Sequence, residues 1–217
     1  MSEQQPKRLG AILYKDFELL DLYGPLEMFG AVPGLFEIVT VAAELGPVAS
    51  TPGPKTVAEY SFSDCPALDL LLLPGGLGTL QALEDETLLG FLRERSASAS
   101  HTMSVCSGSA ILAKAGLLDG RRATSNKQLF WVATSQSDKV QWVEEARWIE
   151  DGPFVTSSGV SAGTDMALAV IAQLYGEEAA EQIAAVTEYQ WHRDAATDPF
   201  VKYLNAMDAD TFLSVYS

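Results

Sequence analysis

The sequence predicts an α/β protein: a three-layer sandwich with a mostly parallel sheet, helices on both faces, and a cysteine on a cramped strand-to-helix turn. Three observations carry this. Apolar runs of strand length alternate with helix-period segments, the pattern that builds a parallel sheet covered on both sides. One run, Leu70-Leu71-Leu72-Leu73, is apolar throughout and stops at Pro74-Gly75-Gly76, as a central parallel strand should. Another, from His101 to Val105, ends at Cys106, which is followed by Ser107, Gly108, Ser109 and Ala110 and then by an apolar helical stretch. Small residues are needed where strand and helix backbones meet closely, so this outline reads as a nucleophile elbow. The dipole of the following helix is expected to favour the thiolate of Cys106.

The elements follow in order. Leu9 to Tyr14 reads as the first strand and Lys15 to Glu18 as a polar turn. Leu19 to Gly24 then leads into a helix over Leu26 to Phe29, with Pro25 in its first turn. Leu35 to Ala42 is a second strand. Gly46 to Tyr60, punctuated by Pro47, Pro52, Gly53 and Pro54, is a hairpin or irregular excursion. The Leu-rich strand runs from Leu68 to Leu73, a helix covers Thr87 to Ala97, and the elbow strand ends at Cys106. Short strands are expected at Ala123-Thr124, Val140 to Trp142, Arg147 to Glu150 and Pro153 to Thr156, the last two joined by an Asp151-Gly152 turn. Helices over Gly159 to Leu174 and Glu177 to Tyr189 precede a tail of short surface helices. Right-handed crossovers turn this order into a flavodoxin-like sheet, whose sites lie beyond the carboxyl ends of the strands. Asp21, Gly75-Gly76 and Cys106 all fall at that end.

Composition narrows the class. At 217 residues, 47% hydrophobic and 20% charged, the chain is expected to form one domain over 1–217, with a core at about 8–188 and a surface tail at 189–217. A formal net charge of −15 argues against nucleic acid and anionic membranes as partners. Two cysteines, Cys65 and Cys106, are too few for a disulfide framework. The N-terminus lacks the apolar core of a signal peptide, and no apolar run reaches the roughly 18 residues of a membrane span. The expectation is a cytoplasmic protein.

Four collinear stretches carry a resemblance: Leu20-Asp21-Leu22-Tyr23-Gly24-Pro25, Asp69 to Gly76, Ser104 to Ser109, and Ser161 to Leu168. Together they resemble the ThiJ/PfpI superfamily, which includes the parkinsonism-associated deglycase, and within it the isocyanide hydratase branch. The resemblance implies that Cys106 is the nucleophile and Asp21 the general acid/base that shares its proton. It implies an anion pocket and substrate-binding role for Gly75, Gly76 and Ser107, with the amides of Gly76 and Ser107 as donors. The Ser107 hydroxyl, where that branch carries threonine, would be kept as a donor. It further implies a small-molecule substrate, a homodimer, and no metal or other cofactor. One departure stands out. Where many members place a histidine after the elbow helix, this chain reads Ala123-Thr124-Ser125-Asn126-Lys127. His101 lies five residues before Cys106, and a strand rise of about 3.3 Å per residue carries it to the opposite end of the sheet. His192 falls in the tail. A cysteine–histidine pair is therefore not expected, and Asn126 can orient a substrate but not take its proton.

Each candidate has a plainer alternative. Asp21 could simply cap a helix. Glu18 could be the acid instead, but the Asp21-Leu-Tyr-Gly-Pro pattern favours Asp21. Asp165 reads as structural and Cys65 as inert. Tyr23, Trp131 and Trp191 are possible pocket walls, with core packing the default. The function expected is hydration of an isocyanide to an N-substituted formamide through the Cys106 thiolate. The alternatives are glyoxalase- or deglycase-like action on small aldehydes and a non-enzymatic, cysteine-based sensor of oxidative stress; a ligand-sensing half of a regulator is the weakest option.

Overall fold

The computed structural model describes residues 5–208, 211 and 214. In chain order its strands are β1 (Lys7–Ile12), β2 (Phe36–Ala42), β3 (Gly46–Ala49), β4 (Lys55–Ala58), β5 (Tyr60–Ser61), β6 (Leu70–Leu73), β7 (His101–Ser104), β8 (Arg122–Ala123), β9 (Gln141–Trp142), β10 (Trp148–Asp151) and β11 (Phe154–Ser157). The helices are α1 (Leu19–Gly30), α2 (Thr79–Ala82), α3 (Glu86–Ser96), α4 (Gly108–Lys114), α5 (Phe130–Thr134), α6 (Ala162–Tyr175) and α7 (Glu177–Val186). The main sheet has the order β10-β11-β7-β6-β1-β2-β5. Every pairing in it is parallel except the β10–β11 hairpin. This is the flavodoxin-like sandwich that the alternation of elements predicts. The Leu-rich strand β6 is buried on both faces, which explains why it shows no polar alternation.

The chain leaves β1 toward β2 on one side and returns to β6 on the other, so the sheet has its switch point at β1. A crevice opens there, beyond the carboxyl ends of β1 and β6. The turn after β1, the Pro74-Gly75-Gly76 turn, Cys106 and the loop after β11 all reach it.

The first helix differs from expectation. It starts at Leu19, not at Pro25, so Pro25 is inside the helix and Asp21 is in its first turn. The interior proline removes one i to i−4 hydrogen bond, and close packing offsets the loss. A Cβ added at Gly163 of α6 would lie 3.2 Å from the Pro25 ring and 2.7 Å from a Val105 methyl. Gly24 similarly faces the Thr164 hydroxyl, 2.6 Å from its would-be Cβ. Two of the four stretches that carry the resemblance are thus the two faces of one tight helix–helix contact, which wedges α1 and α6 beneath the elbow.

Other differences are local. Helices α2 and α5 fall in stretches to which the sequence assigned no element. The β3–β4 hairpin is a separate antiparallel pair, and β5 joins the sheet edge beside β2. In its described part the tail is mostly irregular, with one 3-10 turn at Val201–Tyr203 and helical backbone at Thr211 and Ser214, where short helices were expected. Its remainder (209–210, 212–213 and 215–217) lies outside the described residues.

Gly163→Ala should destabilise the fold by about 1–3 kcal/mol through overpacking. Gly90→Ala, in α3 with nothing near its would-be Cβ, should stabilise it by about 0.5–1 kcal/mol. Urea denaturation of both variants checks the contrast; equal effects would contradict the α1–α6 contact described.

Candidate functional site

Cys106 lies between β7 and α4 with φ +57, a left-handed backbone that a non-glycine residue adopts only when its surroundings impose it. Its amide donates to Ser158 O at 3.1 Å, tying the turn to the end of β11. Its carbonyl accepts from Ser109 Oγ (3.2 Å) and Ser125 Oγ (3.1 Å). The small hydroxyl residues around the elbow therefore fix its main chain. The cysteine is only 7% exposed, and it opens on a cavity of about 180 Å³ lined by Glu18, Thr51, Gly76, Leu77, Ser107, Asn126, Gln128, Leu129, Val160 and Met207. A larger groove of about 470 Å³ runs between the β3–β4 hairpin and α3. Its lining includes Lys15 and Lys55 but no cysteine, and Cys106 opens on the smaller cavity.

Asp21 is fully buried beside that cavity. It does not cap α1: the residue at that position is Glu18, whose side chain makes no capping bond. Instead, Asp21 Oδ2 accepts from the Gly75 amide at 3.0 Å, while Oδ1 has no partner of good geometry. Burial pushes its pKa up to about 8; the Gly75 amide opposes the rise, the Glu18 charge adds to it, and the neighbouring Cys106 thiol pulls it down. The Cys106 thiol is itself pushed well above its usual range, first by burial and then by the Asp21 charge. The Asn126 side chain donates to the sulfur, and with the nearby amides of Ser107 and Val160 it works the other way. The expected helix-dipole effect is therefore outweighed, because α4 has only seven residues and desolvation dominates. Two acids this close titrate as a pair, with a first proton leaving near pH 8 and a second far above.

The donors near the sulfur are placed by backbone constraint. Asn126 Nδ2 reaches Sγ at 3.1 Å, and Oδ1 accepts from the Leu129 amide at 3.0 Å. The Leu129 amide can only donate, so it fixes which end of Asn126 faces the sulfur. Val160, a β-branched residue at φ +36, carries strain of about 1–3 kcal/mol and thereby aims its amide at the thiol. Asn126, expected only to orient substrate, contacts the sulfur itself, an approach set by a loop twenty residues along the chain.

The glycine turn differs from the expected anion pocket. Gly76 adopts φ +134, a conformation only glycine takes readily. Yet the Gly75 amide is engaged by Asp21 and the Gly76 amide by Ser107 Oγ at 3.2 Å. Neither glycine amide is a free donor, because the fold spends both on its own acceptors. The Ser107 amide points toward the sulfur.

The remaining candidates sort by position. Glu18 lines the cavity. Tyr23 does not: its hydroxyl pairs with Thr56 at 2.8 Å on the hairpin side. Trp131 holds Met207 O through Nε1 at 2.9 Å and so brings the tail, not its own ring, to the cavity. Trp191 Nε1 donates to Asp165 O. Asp165 itself is buried away from the sulfur and accepts from Arg147 Nε (2.7 Å), Tyr189 Oη (3.0 Å) and the His192 amide (2.9 Å). His101 sits at the amino end of β7, and neither histidine lines the cavity. Cys65 is buried outside it, its thiol pushed up by burial. Among the described residues no three His, Cys, Asp or Glu gather as a metal ion would require, and no helix is long and apolar enough to cross a membrane.

Fold and site together define an α/β sandwich protein with a cysteine elbow and a buried acid at the sheet switch point. Residues 7–173 match the DJ-1/PfpI family, and the chain belongs to it. It is 34% identical to an isonitrile hydratase of Pseudomonas putida over 183 residues, 84% of this chain and 78% of that one. It is 31% identical over 150 residues, 69% of this chain, to the HTH-type transcriptional regulator CdhR of Pseudomonas aeruginosa, spanning 44% of that protein's length. Among solved structures, a ThiJ/PfpI family protein from Pseudomonas syringae superposes with a TM-score of 0.77 at 36% identity, covering 86% of this chain and 76% of that one.

The buried acid has a consequence for stability. The folded protein keeps a proton on Asp21 up to about pH 8 that the unfolded chain releases near its ordinary value of 3.8. Folding therefore takes up a proton across this window, and stability falls as pH rises through it, by at most about 1.4 kcal/mol per unit. Asp21→Asn should flatten that slope in denaturation series from pH 5 to 8; an unchanged slope would contradict the placement of the proton. Separately, Asn126→Ala should slow iodoacetamide alkylation of Cys106 at pH 8 by about tenfold, as a lost hydrogen bond to a developing charge predicts.

Proposed function

We propose that this protein is an isocyanide hydratase-like enzyme using Cys106 as nucleophile and Asp21 as the proton-handling acid. The observation that carries the reading is the buried Asp21 carboxyl with an unpartnered oxygen beside the Cys106 thiol, in a cavity without an imidazole. Similarity to the P. putida isonitrile hydratase supports the same choice.

The chemistry balances with these two groups and water. Asp21, as carboxylate, takes the thiol proton while sulfur forms a bond to the terminal carbon of R–N≡C. It returns that proton to the same carbon, giving the thioimidate S–CH=N–R. Water then forms a C–O bond, the C=N π pair moves to nitrogen, and Asp21 relays a proton from water to nitrogen. The C–S bond breaks with its electrons returning to sulfur. The hydroxyl proton passes through Asp21 to the thiolate, and the N-substituted formamide leaves. The dyad must hold one proton to begin, so the rate should rise with pH toward the first step near 8.

The raised thiol pKa argues against the peroxide-sensor alternative, which needs a readily formed thiolate. One observation favours the aldehyde alternative: Glu18 faces the same cavity and could serve as a base. A homodimer belongs to the proposal, supported by the apolar face of Leu20, Tyr23 and Val57, exposed at 49%, 44% and 61% on α1 and the hairpin. The expected location is cytoplasmic.

With an aryl isocyanide, wild type should release the formamide, Cys106→Ala should show none, and Asp21→Asn should lose about 10²- to 10⁴-fold in kcat. Product is followed by absorbance and mass. Undiminished turnover by Cys106→Ala would refute the mechanism, and turnover of methylglyoxal alone would transfer the site to the Glu18 reading. Light scattering should give a dimer for wild type and a monomer for Val57→Asp; a monomeric wild type would remove the dimer from the account.

A further inference from the structure

Behind the cavity lies a row of three hydroxyl groups that the mechanism above does not use. Tyr14 Oη is 2.9 Å from the carbonyl oxygen of Pro74 and 3.2 Å from Thr79 Oγ1. Thr79 Oγ1 is in turn 2.8 Å from Ser107 Oγ, which stands 3.2 Å from the Gly76 amide. Thr79 is 2% exposed and Ser107 4%, and Tyr14 is half-buried, its ring on the larger groove and its hydroxyl between Pro74 and Thr79.

Proton counting gives this row one direction. A carbonyl only accepts, so the single Tyr14 proton goes to Pro74 O. Tyr14 oxygen must then accept from Thr79, and Thr79 oxygen must accept from Ser107. The amide at the other end can only donate, so Ser107 Oγ accepts from Gly76. Every link then has one proton, and reversing any of them leaves two lone pairs facing each other at hydrogen-bond distance. The Ser107 proton is therefore committed inward, and its hydroxyl presents a lone pair to the cavity. In this row the Ser107 hydroxyl, expected to be kept as a donor beside the cysteine, faces the cavity as an acceptor.

We propose that Tyr14 and Thr79 are positioning residues that lock the Ser107 hydroxyl as an acceptor toward the cavity, where it holds and orients the attacking water through one O–H. The inference rests on the hydration reading. The water held this way forms the C–O bond of the second step while its other proton passes to Asp21, and Ser107 itself neither gains nor loses a proton. The row ends on a carbonyl, so it cannot carry a proton away; it sets polarity only.

The test is a double-variant cycle of Tyr14→Phe and Ser107→Ala, read as kcat and KM for an aryl isocyanide and as the rate of Cys106 alkylation by iodoacetamide. Removing the Tyr14 hydroxyl frees the Thr79 and Ser107 protons to turn toward the cavity. In the Ser107 background Tyr14→Phe should lower kcat about tenfold with KM unchanged, and in the Ser107→Ala background it should change nothing. Thr79→Val, nearly the same shape, should reproduce the loss, and Thr79→Ser should restore wild-type kcat. The alkylation rate should rise severalfold in Tyr14→Phe, because the released Ser107 proton can stabilise a thiolate, and should not rise in the double variant. If wild type does not turn over isocyanides, the hydration reading fails by itself and the alkylation cycle still decides the polarity. Equal effects of Tyr14→Phe in both backgrounds, or no effect in either readout, would overturn the proposal.

Discussion

A carboxyl group with no exposure to water and one main-chain hydrogen bond is costly to keep, by several kcal/mol if it is charged. The structure around the elbow is arranged to hold Asp21 in that state beside Cys106. Helix α1 carries it, and α1 is pressed against α6 by Gly24 and Gly163, so the carboxyl cannot swing to solvent. The Gly75 amide supplies its hydrogen bond, and the same glycine turn passes over the Ser107 backbone. A proton on the pair is the least expensive way to satisfy these constraints, and this is why acid and thiol must be treated as one titrating unit.

The second support comes from the far end of the chain. Arg147 and Lys127 are buried and meet Asp165 and Asp198, both without exposure. Lys127 Nζ donates to Thr124 Oγ1 at 2.8 Å and Ala146 O at 2.6 Å, and burial lowers its pKa to about 8. These charges pin the tail across the loop that contains Asn126. Asn205 then donates to Lys127 O at 2.8 Å, and Met207 reaches the cavity wall. Removing one partner of such a cluster leaves an uncompensated buried charge, so its effects would reach the Asn126–sulfur contact even though no member touches the sulfur.

The sheet was legible because parallel strands bury both faces: Leu70 to Leu73 and the run ending at Cys106 needed no tertiary information. The placement of His101 at the far end of β7 followed from strand rise alone. The start of α1 was not legible, because proline is favoured in a first helical turn and nothing local reveals that Gly24-Pro25 pack on Gly163. The Asn126 contact and the place of Val160 in the cavity wall depend on loops twenty and more residues from Cys106, and the position of Met207 on a tail without periodicity. The direction of the Ser107 hydroxyl depends on Tyr14 and Thr79, residues that carry no signature in the sequence. What could be read locally was where Asp21, the glycine turn and Cys106 converge; the orientation of the hydroxyls beside them is set by neighbours distant in the chain.

The central claim is that the Asp21–Cys106 pair keeps its protons well into neutral pH, with the carboxyl releasing first. Infrared difference spectroscopy between pH 6 and 10 tests it directly, using wild type with Asp21→Asn and Cys106→Ala to assign the bands. The account predicts a protonated-carboxyl band that disappears around pH 8 and is absent from Asp21→Asn, while the S–H stretch of Cys106 persists through that step. An Asp21 carboxyl already ionised at pH 6, together with loss of the S–H band below pH 8, would contradict it.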